Sequence, residues 1–312
     1  MSYDSCLSND FAVYRGVPQG SIIGPTLFLL HLDDIDNCLR HCKILKYADD
    51  TVIYTTSKDK NVIQKQLNAD ISEIYNWLTN NDLSLNLKKG KTETMIFGTS
   101  SRVKNASPLN ITINGTTLNQ TTSYKYLGVN LDSTLGMNEN FQSKYKKLSS
   151  RLRLLSKLRS NLTFIAAKQI YTSIVVPVFT YCAIANLNLT RTSLQKLERI
   201  DQRAIDIITK GKTRNVKLTT IVASIKHHAS KLVRKSVKKE FPPPMQNYFE
   251  LRSHTKSTRN NQISIKLPKV KTKAAQNGFF YQGAIIYNQI PREIRAVEKD
   301  GLFLSRLKRF KF

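Results

Sequence analysis

Apolar residues recur along the 312-residue chain with two different periods, and the change from one to the other divides it. After the breaker-rich loop Gly16-Val17-Pro18-Gln19-Gly20, the positions Ile23, Leu27, Leu30 and Ile35 keep helical spacing, which predicts a loop feeding a helix over residues 21 to about 39. Two short β-prone runs, 44–48 and 51–55, are separated only by Asp49-Asp50 and read as a hairpin with carboxylates at its tip. Ile63, Leu67, Ile71, Ile74 and Leu78 then mark one face of a helix that ends before Asn80-Asn81-Asp82. Strands are expected over 83–87, 92–97 and 126–131, with a hairpin turning at Asn114-Gly115. This front part has α+β character.

From about residue 138 the period becomes helical throughout. Phe141, Tyr145, Leu148, Leu152, Leu155 and Leu158 form a stripe on a helix whose other faces are read as carrying Lys144, Lys146, Lys147, Arg151, Arg153 and Lys157. A second helix follows Thr163, a third runs through Leu194, Leu197, Ile200, Ala204 and Ile208, and a fourth is expected over 216–237. Pro242-Pro243-Pro244 and the polar stretch 252–273 read as a linker before a last amphipathic piece, 279–312. The most membrane-like stretch, 164–185, is broken by Lys168, Gln169 and Pro177 and is expected as a buried helix ending near Pro177, not as a span.

Charge sharpens the division. The chain holds 49 Lys+Arg against 22 Asp+Glu, a net +27 with a pI near 10.0. Residues 1–100 contain 10 basic and 12 acidic side chains, leaving 39 against 10 for residues 101–312. A near-neutral front therefore precedes a remainder at +29, whose self-repulsion calls for a polyanionic partner, nucleic acid ahead of an anionic membrane surface. With 40% hydrophobic residues, wholesale disorder is excluded.

Four cysteines in a chain of this length make no disulfide framework, and Met1 is not followed by an apolar leader, so an intracellular, reduced protein is expected, nuclear or cytoplasmic. Cys38, His41 and Cys42 lie close together, with His31 as a fourth candidate, but buried helical thiols account for them better than zinc does.

The sharpest local chemistry is Tyr47-Ala48-Asp49-Asp50. Two adjacent carboxylates on a tight turn repel one another and gain by sharing a divalent cation of the Mg²⁺ kind, although Asp is also common in turns for its geometry alone. The neighbours of this tetrapeptide give it context. The run 16–30, Gly16-Val17-Pro18-Gln19-Gly20-Ser21 through Leu30, resembles the polymerase block called motif B of non-LTR, jockey-like retrotransposon reverse transcriptases. Tyr47-Ala48-Asp49-Asp50-Thr51 then resembles motif C, Trp77-Leu78 with Leu83-Ser84-Leu85-Asn86 and Lys91-Thr92-Glu93 motif D, and Tyr126-Leu127-Gly128-Val129 the primer-grip motif E. Arg203-Ala204, Phe280-Tyr281-Gln282-Gly283-Ala284 and Asn288-Gln289-Ile290-Pro291-Arg292-Glu293-Ile294-Arg295 are similar to the family further on.

The resemblance implies an RNA-directed DNA polymerase, by descent, built as a partial right-hand palm (1–132), a helical thumb-like region (133–240) and a basic linker with C-terminal tail (241–312). It implies that Asp49 and Asp50 bind two Mg²⁺ ions, that Lys91 approaches the triphosphate, and that Gln19, Gly20 and Ser21 touch template and incoming deoxynucleotide. Tyr126, Leu127 and Gly128 would hold the primer end, with an RNA template and DNA primer as partners and no membrane. One departure stands out: the family's motif A aspartate has no counterpart in the 15 residues before Gly16, and the Asp33, Asp34 and Asp36 group lies in the wrong place to replace it. The expectation is a truncated element, inactive alone, with a non-catalytic basic nucleic-acid-binding protein as the alternative.

Overall fold

In the computed structural model the described residues are 2–3, 6–7, 16–17, 20–212, 218–243, 246–252, 264–310 and 312. The chain divides into two units, Met1–Leu127 and Gly128–Phe312. It is an α+β protein in which, among the described residues, every sheet has two strands.

The first unit opens with β1 (Ser2–Tyr3) antiparallel to β2 (Cys6–Leu7). Helix α1 (Gly24–His31) starts with Pro25 in its first turn, where the missing N–H costs nothing. The chain then tightens into a 3₁₀ helix (Asp33–Cys38), so the single helix expected over 21–39 is divided. Three aspartates, poor in a helix interior and favourable at a helix start, mark the division. The expected apolar stripe is also not a buried one: Ile23 and Leu30 stay 64% and 66% exposed, while Leu32 and Ile35 go inside.

Strands β3 (Lys43–Tyr47) and β4 (Asp50–Tyr54) form the antiparallel hairpin expected from the pattern, with Tyr47 opposite Asp50 and Lys43 opposite Tyr54. Helix α2 (Lys60–Asn80) begins at Asp59, whose carboxylate accepts from the Asn61 N–H at 2.9 Å, and ends where Asn81 takes over. β5 (Glu93–Thr94), α3 (Ser100–Asn105), the hairpin β6 (Thr112–Ile113) and β7 (Thr116–Thr117), and then β8 (Asn119–Gln120) and β9 (Ser123–Tyr126) complete the unit. Asn114 and Gly115 both take positive φ, 45° and 75°, the geometry that a two-residue hairpin turn with right-handed strand twist requires.

The core of this unit is small. Ile71, Leu109, Ile111, Ile113 and Leu118 are buried, with Ile53 of the hairpin and Leu67 of α2 packed on them. Residues 83–87 are not a strand, yet Leu85 and Leu87 contribute to this core.

The second unit begins with β10 (Val129–Asp132) and is otherwise helical: α4 (Asn138–Leu158), α5 (Phe164–Ile170), a π turn (Tyr171–Val175), α6 (Pro177–Thr180), α7 (Arg191–Thr209) and α8 (Ile221–Val237). Helical structure does not stop at Pro177 as expected. The π turn, with the Val176 N–H reaching Tyr171 O at 3.0 Å, widens the helix just before the proline, which then starts α6 without needing a donor.

Of the α4 stripe Phe141, Leu148, Leu152 and Leu155 are buried and Tyr145 partly so, but Leu158 is exposed and Lys144, read above as surface, is 7% exposed. Lys144 lies three residues after Phe141 and four before Leu148, on the buried face, and its ammonium donates to Tyr181 O at 2.9 Å. Burial lowers its pKa, opposed by Cys182.

A second core, Val233, Phe249, Ile265, Ala284, Tyr287, Ile290, Phe303 and Leu307, joins α8 to α10 (Phe279–Gln289) and α12 (Asp300–Arg309), with α9 (Lys273–Asn277) and α11 (Arg292–Arg295) beside α10 and α12 in the chain. The stretch read as linker and tail is thus in part packed: Ile265 is fully buried and bridges to Leu251. Residues 253–263 lie outside the described residues. Buried Arg234, within the basic run 231–239, donates to Asp300 at 2.6 Å and to the carbonyls of Val297 and Glu298, so it fastens α12 to α8. No helix of the described residues is long and apolar enough to cross a membrane.

Candidate active site

The turn Ala48-Asp49 at the hairpin tip is tight enough to push Ala48 to φ 53°, a left-handed conformation that costs a non-glycine residue about 1–2 kcal/mol. Five cross-strand pairs hold it there. Asp49 sits in the turn and Asp50 opens β4, both exposed.

Two anchors fix the hairpin from behind. The Asp70 carboxylate of α2, 1% exposed, accepts from the backbone N–H groups of Arg40 (3.2 Å), His41 (2.9 Å) and Cys42 (2.6 Å), the segment entering β3. The Lys46 ammonium pairs with Asp36 at 2.6 Å and donates to the carbonyls of Leu32 and Asp33, so the 3₁₀ helix carries the acid that pairs with this lysine of β3.

Burial pushes the Asp70 carboxyl up, but the His41, Cys42 and Arg40 N–H groups with the Cys42 thiol outweigh it and hold it below its ordinary value. The same contacts act in reverse on Cys42. Burial and then Asp70 raise its thiol to about 12, which keeps it protonated, the opposite of a metal-bound thiolate.

A depressed folded-state pKa contributes stability above the unfolded value, near 3.8, and that contribution is lost as pH falls through the folded value. Asp70→Ala leaves three N–H donors without their acceptor and should cost about 3 kcal/mol. Urea unfolding at neutral pH reads the loss, and the gap between the two proteins should narrow in acid. A gap that widens there would contradict the anchor.

One strand gathers the other expected groups. Tyr124 and Tyr126, two apart on β9, share a face. The Tyr124 hydroxyl donates to the Lys91 carbonyl at 3.0 Å, holding the turn at Gly90 in which the exposed Lys91 side chain sits. Tyr126 is raised by burial and then by the Asp50 carboxylate, which places its phenol in the field of the hairpin tip.

Leu127 and Gly128 follow at φ 45° and 77°, and the unit boundary falls between them. Within the second unit a Cβ on Gly128 would lie 3.2 Å from Tyr181 Cε1, so the backbone favours glycine and a side chain would also have to displace the tyrosine ring slightly. Gly128→Ala should therefore destabilise by about 1–3 kcal/mol, and in a Tyr181→Ala background only the backbone share should remain. Denaturant midpoints of the four proteins check this, and an unchanged cost in the double variant would remove Tyr181 from the account.

Around the motif B loop, Gly20 is exposed at φ 88°, and the Ser21 hydroxyl accepts from the Gly24 N–H at 2.9 Å, an N-terminal support for α1. Gln19 lies outside the described residues. His31 at the end of α1 meets the Trp77 ring of α2 at 6.2 Å. Among the described residues no hydrogen bond joins Gly20 or Ser21 to the hairpin tip.

Asp49 and Asp50 have the hard oxygen donors that Mg²⁺ takes. Their number falls short of a two-ion set: among the described residues no three His, Cys, Asp or Glu side chains come together to hold a metal. Asp70, Lys46 and Tyr124, which position the hairpin and the Lys91 turn, were not singled out from the sequence. A signal existed for Asp70, which falls on the apolar register 63, 67, 70, 74 of α2.

Residues 2–131 match the family model described as reverse transcriptase (RNA-dependent DNA polymerase). The RNA-directed DNA polymerase from mobile element jockey of Drosophila funebris is 29% identical over 216 residues, covering 65% of this chain and 22% of that protein. The probable RNA-directed DNA polymerase from transposon BS of Drosophila melanogaster is 26% identical over 245 residues, 72% of this chain and 27% of that protein. A retrovirus-related Pol polyprotein from a type-1 retrotransposable element of Nasonia vitripennis is 26% identical over 180 residues, 54% of this chain and 43% of that protein. No solved structure matches the chain.

Residues 2–131 thus carry a reverse transcriptase domain, and the chain is similar to the RNA-directed DNA polymerases of non-LTR mobile elements. It spans about a quarter of the jockey and BS relatives' length, at 22% and 27%.

Proposed function

We propose that the chain supplies the palm-to-thumb part of RNA-directed DNA synthesis. In this reading residues 1–132 contribute the rear of a polymerase palm, 133–240 a thumb-like helical platform for an RNA template and DNA primer, and 241–312 a basic extension. Asp49 and Asp50 would serve as Mg²⁺ ligands, Lys91 as the charge partner of a deoxynucleotide triphosphate, Gln19, Gly20 and Ser21 as template and nucleotide contacts, and Tyr126, Leu127 and Gly128 as the support of the primer end. The observation that carries the reading is the meeting of groups far apart in sequence. One face of β9 reaches both the Lys91 turn and the field of Asp50.

Nucleotidyl transfer also needs a further carboxylate, to be supplied by an additional segment or a second subunit. Alone, the 312 residues are proposed to bind nucleic acid without extending a primer. The second reading, a purely electrostatic nucleic-acid binder, is favoured by the two-carboxylate tip. Primer extension separates the two. Activity that appears when a carboxylate-bearing strand is added, and that depends on Asp49, supports the first reading, and binding without activity in every form supports the second.

A further inference from the structure

The C-terminal part of the second unit contains a feature that the polymerase reading leaves unused. An open-mouthed cavity of about 560 Å³ is lined by Arg252, Arg292 and Arg295 together with Leu267, Ile285 and Asn288. Its frame is local and well tied. Arg252 and Ser264 face each other across the Leu251–Ile265 bridge, with the Arg252 N–H donating to Ser264 O at 2.8 Å. Asn288 of α10 closes the frame: its amide accepts from the Ile265 N–H at 2.8 Å and donates to Ile265 O at 2.9 Å. The motif 288–295 thereby places Arg292 and Arg295 on the wall facing this strand pair.

Among the described residues of the lining there are three guanidiniums and no Asp or Glu. Arg252 and Arg292 are exposed and, among the described residues, neither is in an ion pair. Arg295 is pushed down by burial, raised by Tyr287 and lowered again by Arg292, so an anion entering between the arginines would relieve their mutual repulsion. The volume suits one nucleotide, and Leu267 with Ile285 supplies an apolar wall for a base or sugar once guanidiniums have taken the phosphate. A duplex keeps its bases paired and stacked and cannot present one to such a cavity.

We propose that this cavity is a single-strand site: it takes one splayed nucleotide of a single-stranded RNA or DNA, phosphate on Arg252 and Arg292, base or sugar against Leu267 and Ile285. Its lining shares no residue with the Asp49-Asp50 hairpin, so a failure of primer extension leaves it standing.

The test uses the full chain, short fluorescent single-stranded RNA and DNA, and a hairpin duplex, with affinities measured by anisotropy at moderate salt. The doubly substituted protein R252K/R292K keeps every charge and both positions are exposed, so its melting curve should match that of the unsubstituted chain. Lysine cannot reproduce the planar two-pronged grip on phosphate, so single-strand affinity should fall about tenfold while duplex affinity changes less than about twofold. Loss for RNA alone or for both single strands supports the site, and the difference names the preferred sugar. Single-strand affinity unchanged in R252K/R292K, or an equal loss on the duplex, overturns it, because diffuse attraction of phosphates depends on charge and not on its geometry.

Discussion

Given Mg²⁺, a primed RNA template and deoxynucleotides, the 312-residue chain leaves the primer unextended, and the same chain joined to a segment bearing a further carboxylate strand extends it. The physical ground is the hairpin tip. Asp49 and Asp50 project from one tight turn, and no three metal-ligating side chains gather among the described residues. Two ions in an in-line displacement need carboxylates from more than one direction, since each ion must touch both the reacting oxygens and the protein. In the joined protein Asp49→Asn should lower extension by roughly 10³-fold or more, because an amide is a poor Mg²⁺ ligand and the lost interaction belongs to the transition state. Hybrid binding should be almost unchanged, since Asp49 is exposed and carries no hydrogen bond of the hairpin ladder. Robust extension by the 312 residues alone, abolished by Asp49→Asn, would show that a further carboxylate comes from elsewhere in the chain or from a second copy, and would sink the proposed division of labour.

Much of this site was legible because it is local. A two-residue gap between β-prone runs dictates a hairpin; the observed turn is Ala48-Asp49, one residue earlier than the expected Asp49-Asp50, because Asp50 already pairs with Tyr47 in the ladder. The Asn114-Gly115 turn and the buried stripe of α2 are legible for the same reason. What remained hidden depends on partners far away in sequence. Nothing in the order of the motifs says that Tyr124 reaches the Lys91 carbonyl while the Tyr126 phenol feels the Asp50 charge; strand alternation on β9 puts the two rings on one face, and their partners are set by packing. The exposure of Ile23 and Leu30 on α1 is likewise invisible to periodicity, which reports a stripe and not whether anything covers it.

The most instructive misses are charges on apolar registers. Lys144, between Phe141 and Leu148, reads as a surface residue, and Asp70 among Leu67, Ile71 and Ile74 and Asp201 beside Ile200 and Ala204 carry charges that residue type alone assigns to the surface. All three are buried, and each satisfies backbone or hydroxyl groups of another segment: N–H donors before β3, the carbonyl of Tyr181, and the Tyr171 hydroxyl at 2.7 Å together with the first N–H of α8. A charged residue at a core register is a signal in itself, because it is tolerated only where the fold supplies its partners.

The second large effect concerns salt. Residues 101–312 carry 39 basic against 10 acidic side chains, and on α4 Lys146, Lys147, Arg153 and Lys157 stand exposed while Lys144 and Leu148 face the core. On α7 Arg191, Arg199 and Arg203 are exposed in the same way. Each cation that neutralises a phosphate releases counterions, so six or more contacts to an RNA–DNA hybrid should weaken binding roughly 10³-fold between about 50 and 200 mM salt, with little dependence on base sequence. Replacing Lys146, Lys147, Arg153 and Lys157 together by glutamine should flatten the slope of log K against log salt by about 0.9 for every one of the four that touches a phosphate. All four positions are exposed, so the melting curve should match that of the unsubstituted chain. Binding indifferent to salt would remove the electrostatic platform altogether, and a slope unchanged by the fourfold substitution would move it away from α4 to the other basic surfaces of the second unit.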